Sequence, residues 1–150
     1  MKIDDLLTEL LKLKNEGCKL KTKDKNYKKV GRDMSEAQEQ KAVIEWCNWN
    51  SNRFEELKWI FHCPNEAKRN KRTGAELKRL GMKAGVPDLL LLAPKGKYIG
   101  LAIEMKYGKN KCTIEQVKWL DWLYKQGYMC KVCWSSEEAI AVIKEYLGVK

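Results

Sequence analysis

Several things are scarce in this chain, and each scarcity removes a class of protein. No run approaches the ~20 apolar residues of a membrane-spanning helix, so a helical membrane span is not expected. The opening Met1-Lys2-Ile3-Asp4-Asp5 carries early acidic residues and no small-residue cleavage site, so a secretory signal is not expected either. The six cysteines are then expected to be reduced thiols, in a protein of the cytoplasm. Histidine is down to one residue, His62. There is no HxxxH and no second CxxC to complete the Cys130-Lys131-Val132-Cys133 pair. That pair lies in a segment that reads as a strand, where residues i and i+3 point to opposite faces. A structural zinc site is therefore not expected. Internal repeats and low-complexity tracts are also missing, and 150 residues suit one domain.

Acid is scarce relative to base. Twenty Asp+Glu face thirty Lys+Arg, giving a formal charge of +10 and a pI near 9.3. An excess of that size in a small domain points to a polyanionic partner, because basic side chains displace condensed counterions from nucleic acid. A merely soluble basic protein is the plainer alternative.

What is present divides at about residue 35. Residues 3–15 carry Ile3, Leu6, Leu7, Leu10 and Leu13 at helical spacing. Residues 18–33 are crowded with Lys19, Lys21, Lys23, Lys25, Lys28 and Lys29 and read as a basic linker, either a DNA-backbone arm or a solvated tether. The region 1–34 is thus an expected N-terminal helix and basic linker, and 35–150 the main domain. Ser35 and Gln38 form a capping box, which predicts a helix to about Asn50 with Glu36, Gln40, Val43 and Cys47 on one face. A short strand is expected over 57–63, a polar loop over 64–72, and a helix capped by Thr73 and ended by Gly81. The apolar run 88–93 suits a buried strand, and 98–105 a second strand paired with it as a hairpin. Thr113 and Gln116 repeat the capping box, 128–134 is a third strand, and Ser135 with Glu138 opens a last helix. The fold class is α/β, a mixed central sheet flanked by helices.

Two features break the rule that charge avoids the core. Asp88 opens one apolar strand, and Glu104 and Lys106 lie near the end of the other. Residues i and i+2 of a strand share a face, so Glu104 and Lys106 point the same way, and the hairpin can set Asp88 beside Glu104. Two close carboxylates raise each other's pKa unless a cation neutralises them. Oxygen ligands with no His or Cys among them suit Mg²⁺ or Mn²⁺. Such an ion, with a lysine beside it, is equipment for phosphodiester hydrolysis. Taken singly, Asp88 could instead be a strand cap, and Glu104 with Lys106 the exposed side of an edge strand.

Pro87-Asp88 followed by Glu104-Met105-Lys106 resembles the PD-(D/E)xK nuclease motif. The longer series resembles the VRR-NUC (virus-type replication-repair nuclease) domain: residues 81–89, residues 100–106, Gln116, the L-x-x-x-G-Y ending of residues 123–128, the Phe61-His62-Cys63-Pro64-Asn65-Glu66 segment, and Glu36 with Gln40. The resemblance covers about 35–148 and implies a restriction-endonuclease-like core, Mg²⁺ or Mn²⁺ as cofactor, and cleavage of DNA. It implies Asp88, Glu104, the Met105 backbone carbonyl and Glu36 as metal ligands, Lys106 as catalytic lysine, and Gln116 as an active-site polar residue. It also implies a homodimer acting on branched or four-way-junction DNA in replication, recombination or repair, and a phage or mobile-element source; that last step is analogy.

Gln40, Asn65, Lys68, Arg69, Lys71, Arg72 and Lys83 are expected to touch DNA, though basic loops are often simply solvated. His62 is expected as a packed strand residue more than a DNA contact. Trp46/Trp49 and Trp119/Trp122 have i, i+3 spacing, so core or dimer-interface packing is expected of them rather than base stacking. Two other readings stand beside the endonuclease. One is a restriction-type enzyme or exonuclease on the same core, for which 150 residues leave little room for a separate recognition domain. The other is a non-catalytic nucleic-acid-binding module.

Overall fold

The structure, a computed structural model, describes residues 35–64 and 71–149, with 71–73 as backbone only. The expected N-terminal helix and basic linker of 1–34 lie outside the described residues, as do Asn65, Lys68 and Arg69. Lys71 and Arg72 fall among the residues described by backbone alone.

The chain runs α1 (Glu36–Asn50), a 3-10 turn (Glu55–Trp59), β1 (Ile60–His62), α2 (Lys71–Arg79), β2 (Leu89–Leu91), β3 (Gly100–Met105), α3 (Ile114–Lys125), β4 (Tyr128–Cys133) and α4 (Ser136–Leu147). Both expected capping boxes form. Ser35 caps α1 with Gln38, and Thr113 caps α3 with Gln116. Ser135 accepts from the Glu138 amide at 3.2 Å and so caps α4. Three boundaries differ from expectation. Residues 57–59 are a 3-10 turn because Leu57 tucks into the core, leaving a strand of only 60–62. The second helix starts at Lys71, ahead of Thr73. The hairpin strands are shorter because Lys95 and Tyr98 already bridge and close the turn.

The four strands lie in the order β1-β2-β3-β4. The first two pairings are antiparallel and β3–β4 is parallel, so the sheet is mixed. β3 has a strand on each side and helices over both faces, and every one of its residues is buried. Alternation splits the core in two. On one face Leu89, Leu91, Leu101, Ile103, Met105, Met129 and Cys133 meet Val43 and Cys47 of α1 and Ile143 and Leu147 of α4. On the other, Ala102 and Cys130 meet Leu120 and Leu123 of α3. Cys130 and Cys133 thus serve opposite clusters, as their spacing requires. The parallel step from β3 to β4 passes through α3, the ordinary crossover for parallel strands. Gly100 has no side chain because the Tyr128 ring occupies the place a Cβ would take.

The tryptophans divide between packed and exposed. Trp46 and Trp119 pack partly against the body, but Trp49 and Trp122 are exposed. Residues at i and i+3 differ by about 60° around a helix, enough to turn the second of each pair off the buried stripe. No helix among the described residues is long and apolar enough to cross a membrane.

Candidate active site

The site is assembled at the end of the sheet where β2 begins and β3 stops. The approach to β2 is held from outside. Gly85 has φ +81°, and a Cβ there would sit 2.5 Å from the Glu115 carbonyl carbon and 2.7 Å from the Gln116 amide nitrogen. Only glycine allows both the left-handed backbone and this close approach to the start of α3. The Trp119 indole N–H donates to the Ala84 carbonyl at 3.0 Å and fixes the same turn. Pro87 is buried, and Asp88 follows it at the mouth of β2.

Leu89 pairs with Ile103 in the antiparallel register, so Asp88 stands opposite Glu104 on the same face. Asp88 Oδ2 accepts from the Met105 amide at 2.8 Å. Glu104 is fully buried. Its Oε1 accepts from Lys106 Nζ at 2.5 Å and from the Gln116 side-chain amide. Its Oε2 is buried and receives no hydrogen bond, while the Glu104 carboxyl also hydrogen-bonds the Asp88 side chain. The Lys106 amide donates to the Cys133 carbonyl at 2.8 Å, extending the parallel ladder one residue and holding its side chain on the Glu104 face. Gln116 does two tasks at once. Its Oε1 accepts from the Thr113 amide at 2.8 Å, which closes the capping box and turns its N–H₂ toward Glu104.

The charges follow from this packing. Burial, then the Asp88 charge, push the Glu104 carboxyl up to about 8, against the pull of Lys106. Burial also raises Asp88, partly offset by the Met105 amide and Lys106. Burial works against the Lys106 ammonium, but the Glu104 hydrogen bond and charge outweigh it, and its pKa rises.

Most of the chain has a counterpart among known proteins. A family model described as the VRR-NUC domain matches residues 22–137. The chain belongs to the VRR-NUC family. It is also similar to a solved structure described as a VRR_NUC domain protein, at 30% identity and a TM-score of 0.66, covering 79% of this chain and 93% of that one. A comparison with curated proteins finds no match. The family is of nuclease type, and the mixed sheet with flanking helices is its α/β core.

Within this VRR-NUC fold the expected residues separate into an inner and an outer set. Asp88, Glu104, Lys106 and Gln116 converge. Glu36, in the first turn of α1, is near enough for its charge to raise both Glu104 and Lys106. No group of three or more His, Cys, Asp or Glu placed to hold a metal ion exists among the described residues. Gln40 lies one turn beyond Glu36, half-buried, and Lys83 is exposed on the loop before Gly85. His62 corrects the sequence reading. It is exposed, with Nδ1 3.0 Å from the Asp88 carbonyl oxygen, because β1 ends at the site and leaves nothing to cover the ring.

Two residues of the surroundings were missed. Cys63 donates its amide to the Asp88 carbonyl at 2.9 Å, and burial followed by the Asp88 charge raise its thiol. Burial, then Glu104, lift the Cys112 thiol to about 11. The exposed Lys109 and Lys111 share a loop with it, pinned where the Trp134 indole N–H donates to the Asn110 carbonyl at 3.3 Å. This loop joins Lys106 to the cap of the helix carrying Gln116, and no periodic pattern in the sequence marks its path.

Proposed function

We propose that this VRR-NUC chain is a metal-dependent DNA endonuclease that hydrolyses phosphodiester bonds, selective for branched or junction DNA. One observation carries the reading: a fully buried carboxylate, Glu104, faces Asp88 across a strand pair, with one oxygen engaged by Lys106 and Gln116 and the other orphaned. A buried acceptor without a donor costs about 1–3 kcal/mol or more when charged. The donor set fits Mg²⁺ or Mn²⁺, being hard oxygen throughout. Asp88 and Glu104 would hold the ion. The Met105 carbonyl would join them, since N–H and C=O of one strand residue project to the same side and the N–H already meets Asp88. Glu36 adds negative charge on the α1 side.

A bound divalent cation supplies charge neutralisation for the two carboxylates and Lewis acidity toward a phosphate oxygen. The chain does the rest. Gln116 and Lys106 occupy Glu104 Oε1 and so leave Oε2 to face the centre of the site. Lys106 stays an ammonium at neutral pH and is placed to offset charge that develops on the phosphate. Gln40, Lys83, Lys109 and Lys111 supply hydrogen-bonding and positive groups around the opening, suited to the backbone of DNA.

The test is to incubate the purified protein with linear duplex, single-stranded, flapped and four-way-junction DNA, with Mg²⁺, Mn²⁺ or EDTA. Cutting that EDTA stops, fastest on the branched forms, is expected. Lys106→Ala should lower the cleavage rate by at least ~10²-fold while keeping DNA binding, and cutting at the wild-type rate would remove Lys106 from its role. The mass of the protein in solution tests the homodimer that the family resemblance implies.

A further inference from the structure

The sheet face that carries Asp88 and Glu104 is roofed over only part of its width. α3 packs chiefly against β4 and β3. Among the described residues, no helix roofs β1 on this face. Ile60 packs into the α1/α4 cluster, so Phe61 projects the other way, opposite Leu90, which belongs with the α3 cluster. Leu90 is two residues from Asp88 and two from Leu92, so Phe61, Leu92 and Asp88 share one face. Trp59 ends the 3-10 turn immediately before β1, next in the chain to Ile60, and is likewise exposed. These side chains are far from buried: Trp59 is 64% exposed, Leu92 56% and Phe61 41%.

The result is an uncovered apolar strip, two of its three members aromatic, that leads along β1 to the carboxylates. Its neighbours favour one kind of occupant. The chain carries thirty basic against twenty acidic residues, and Lys58 lies exposed next to Trp59. The strip is also continuous with the site proposed to grip a phosphodiester. A polyanion held at Asp88 therefore has this strip as a neighbour. A paired duplex keeps its base faces stacked inside and offers such a strip nothing, whereas an unpaired base presents a planar face to any aromatic ring. We propose that Trp59 and Phe61 form a stacking platform for unpaired bases of the nucleic-acid strand held at Asp88 and Glu104. This rests on nucleic acid being the ligand of that site.

Binding is measured by fluorescence anisotropy on the full chain in EDTA, where no cleavage intervenes. The probes are a short blunt duplex and the same duplex carrying a single-stranded thymidine tail. The double variant W59A/F61A should bind the tailed duplex at least about tenfold more weakly and the blunt duplex unchanged. W59L/F61L keeps apolar surface but loses the ring faces, and should fall with the alanine variant. W59F/F61Y should keep tailed-duplex affinity. All three should melt with the wild type, since the side chains are exposed. The platform is refuted if W59L/F61L binds the tailed duplex like wild type, or if both probes weaken together. It is equally refuted if light scattering shows a dimer that W59A/F61A splits, for then a second copy covers the strip. Cleavage with Mg²⁺ is scored separately. A wild type that binds tailed DNA through the strip yet never cuts sinks the nuclease reading and leaves the platform standing.

Discussion

Replacing Glu104 with glutamine should flatten the dependence of stability on pH. In the folded chain the Glu104 carboxyl keeps its proton up to about pH 8, against an ordinary value of 4.5. Between those values folding takes up a proton, so stability falls as pH rises, by ~1.4 kcal/mol per pH unit. Glu104's contribution is fully present below 4.5 and lost above about 8. The whole swing has a ceiling of about 5 kcal/mol, a large part of a domain's ~5–15 kcal/mol. Asp88, also raised, acts in the same sense at lower pH. Lys106, raised above its ordinary 10.5, stays charged throughout this window and adds no slope. Glu104→Gln carries its own cost, because it changes the hydrogen bonds of Lys106 and Gln116 at every pH and removes the anionic partner of Lys106 above about pH 8. The informative quantity is therefore the slope, not the offset. Urea unfolding followed by tryptophan fluorescence in EDTA, at pH steps from 6 to 9, gives it directly. Wild type should lose stability across this range, and Glu104→Gln should lose far less. Adding Mg²⁺ or Mn²⁺ should restore wild type most at high pH, where the carboxylate pair is ionised and binding no longer has to expel a proton. A wild-type slope between pH 6 and 8 equal to that of Glu104→Gln would refute the reasoning.

Other perturbations separate the supports of the site. Gly85→Ala forces a Cβ onto Glu115 and Gln116 at positive φ and should cost about 1–3 kcal/mol, seen as a lower thermal midpoint; an unchanged midpoint would mean that the turn shifts freely. Thr113→Ala should cost ~1 kcal/mol as a lost cap. Because Gln116 serves both the cap and Glu104, the double mutant with Gln116→Ala should cost clearly less than the two single costs summed, and strict additivity in a double-mutant cycle would deny the coupling. Cys112, with its thiol held up at about 11, should react with iodoacetamide at neutral pH far more slowly than a free thiol of pKa ~8.5; mass mapping of the labelled cysteine checks it, and rapid labelling would show the thiol to be open.

Sequence periodicity made the inner site legible because it sits on regular structure. Alternation put Glu104 and Lys106 on one face, the hairpin set Asp88 opposite Glu104, and the two capping boxes formed as read. What it missed depends on strand ends. His62 was expected as a packed strand residue more than a DNA contact, yet β1 is a three-residue edge strand that stops at the site, and the ring is left in solvent. Cys112 was invisible for another reason. Its place beside Glu104 is set by how the loop returns from β3 to α3, and loop paths carry no periodic signal.

The exposed aromatics show the same limit from the other side. Phe61 and Trp59 fall in the segment 57–63 expected from sequence as a short strand, and that expectation does not say which face stays open. Among the described residues, the helix on that face, α3, is committed to β4 and β3, because it forms the crossover between those two strands. A helix has a width of ~10 Å and strands lie ~4.8 Å apart, so one helix roofs about two strands. The antiparallel hairpin that brings Asp88 to Glu104 is made without a helix of its own, and its outer strand therefore stays open. The arrangement that sets the two carboxylates face to face is thus also the reason apolar surface lies bare next to them. Filling the strip from solution with a bulky strand partner is accordingly expected to block access to Asp88 as well as to Phe61.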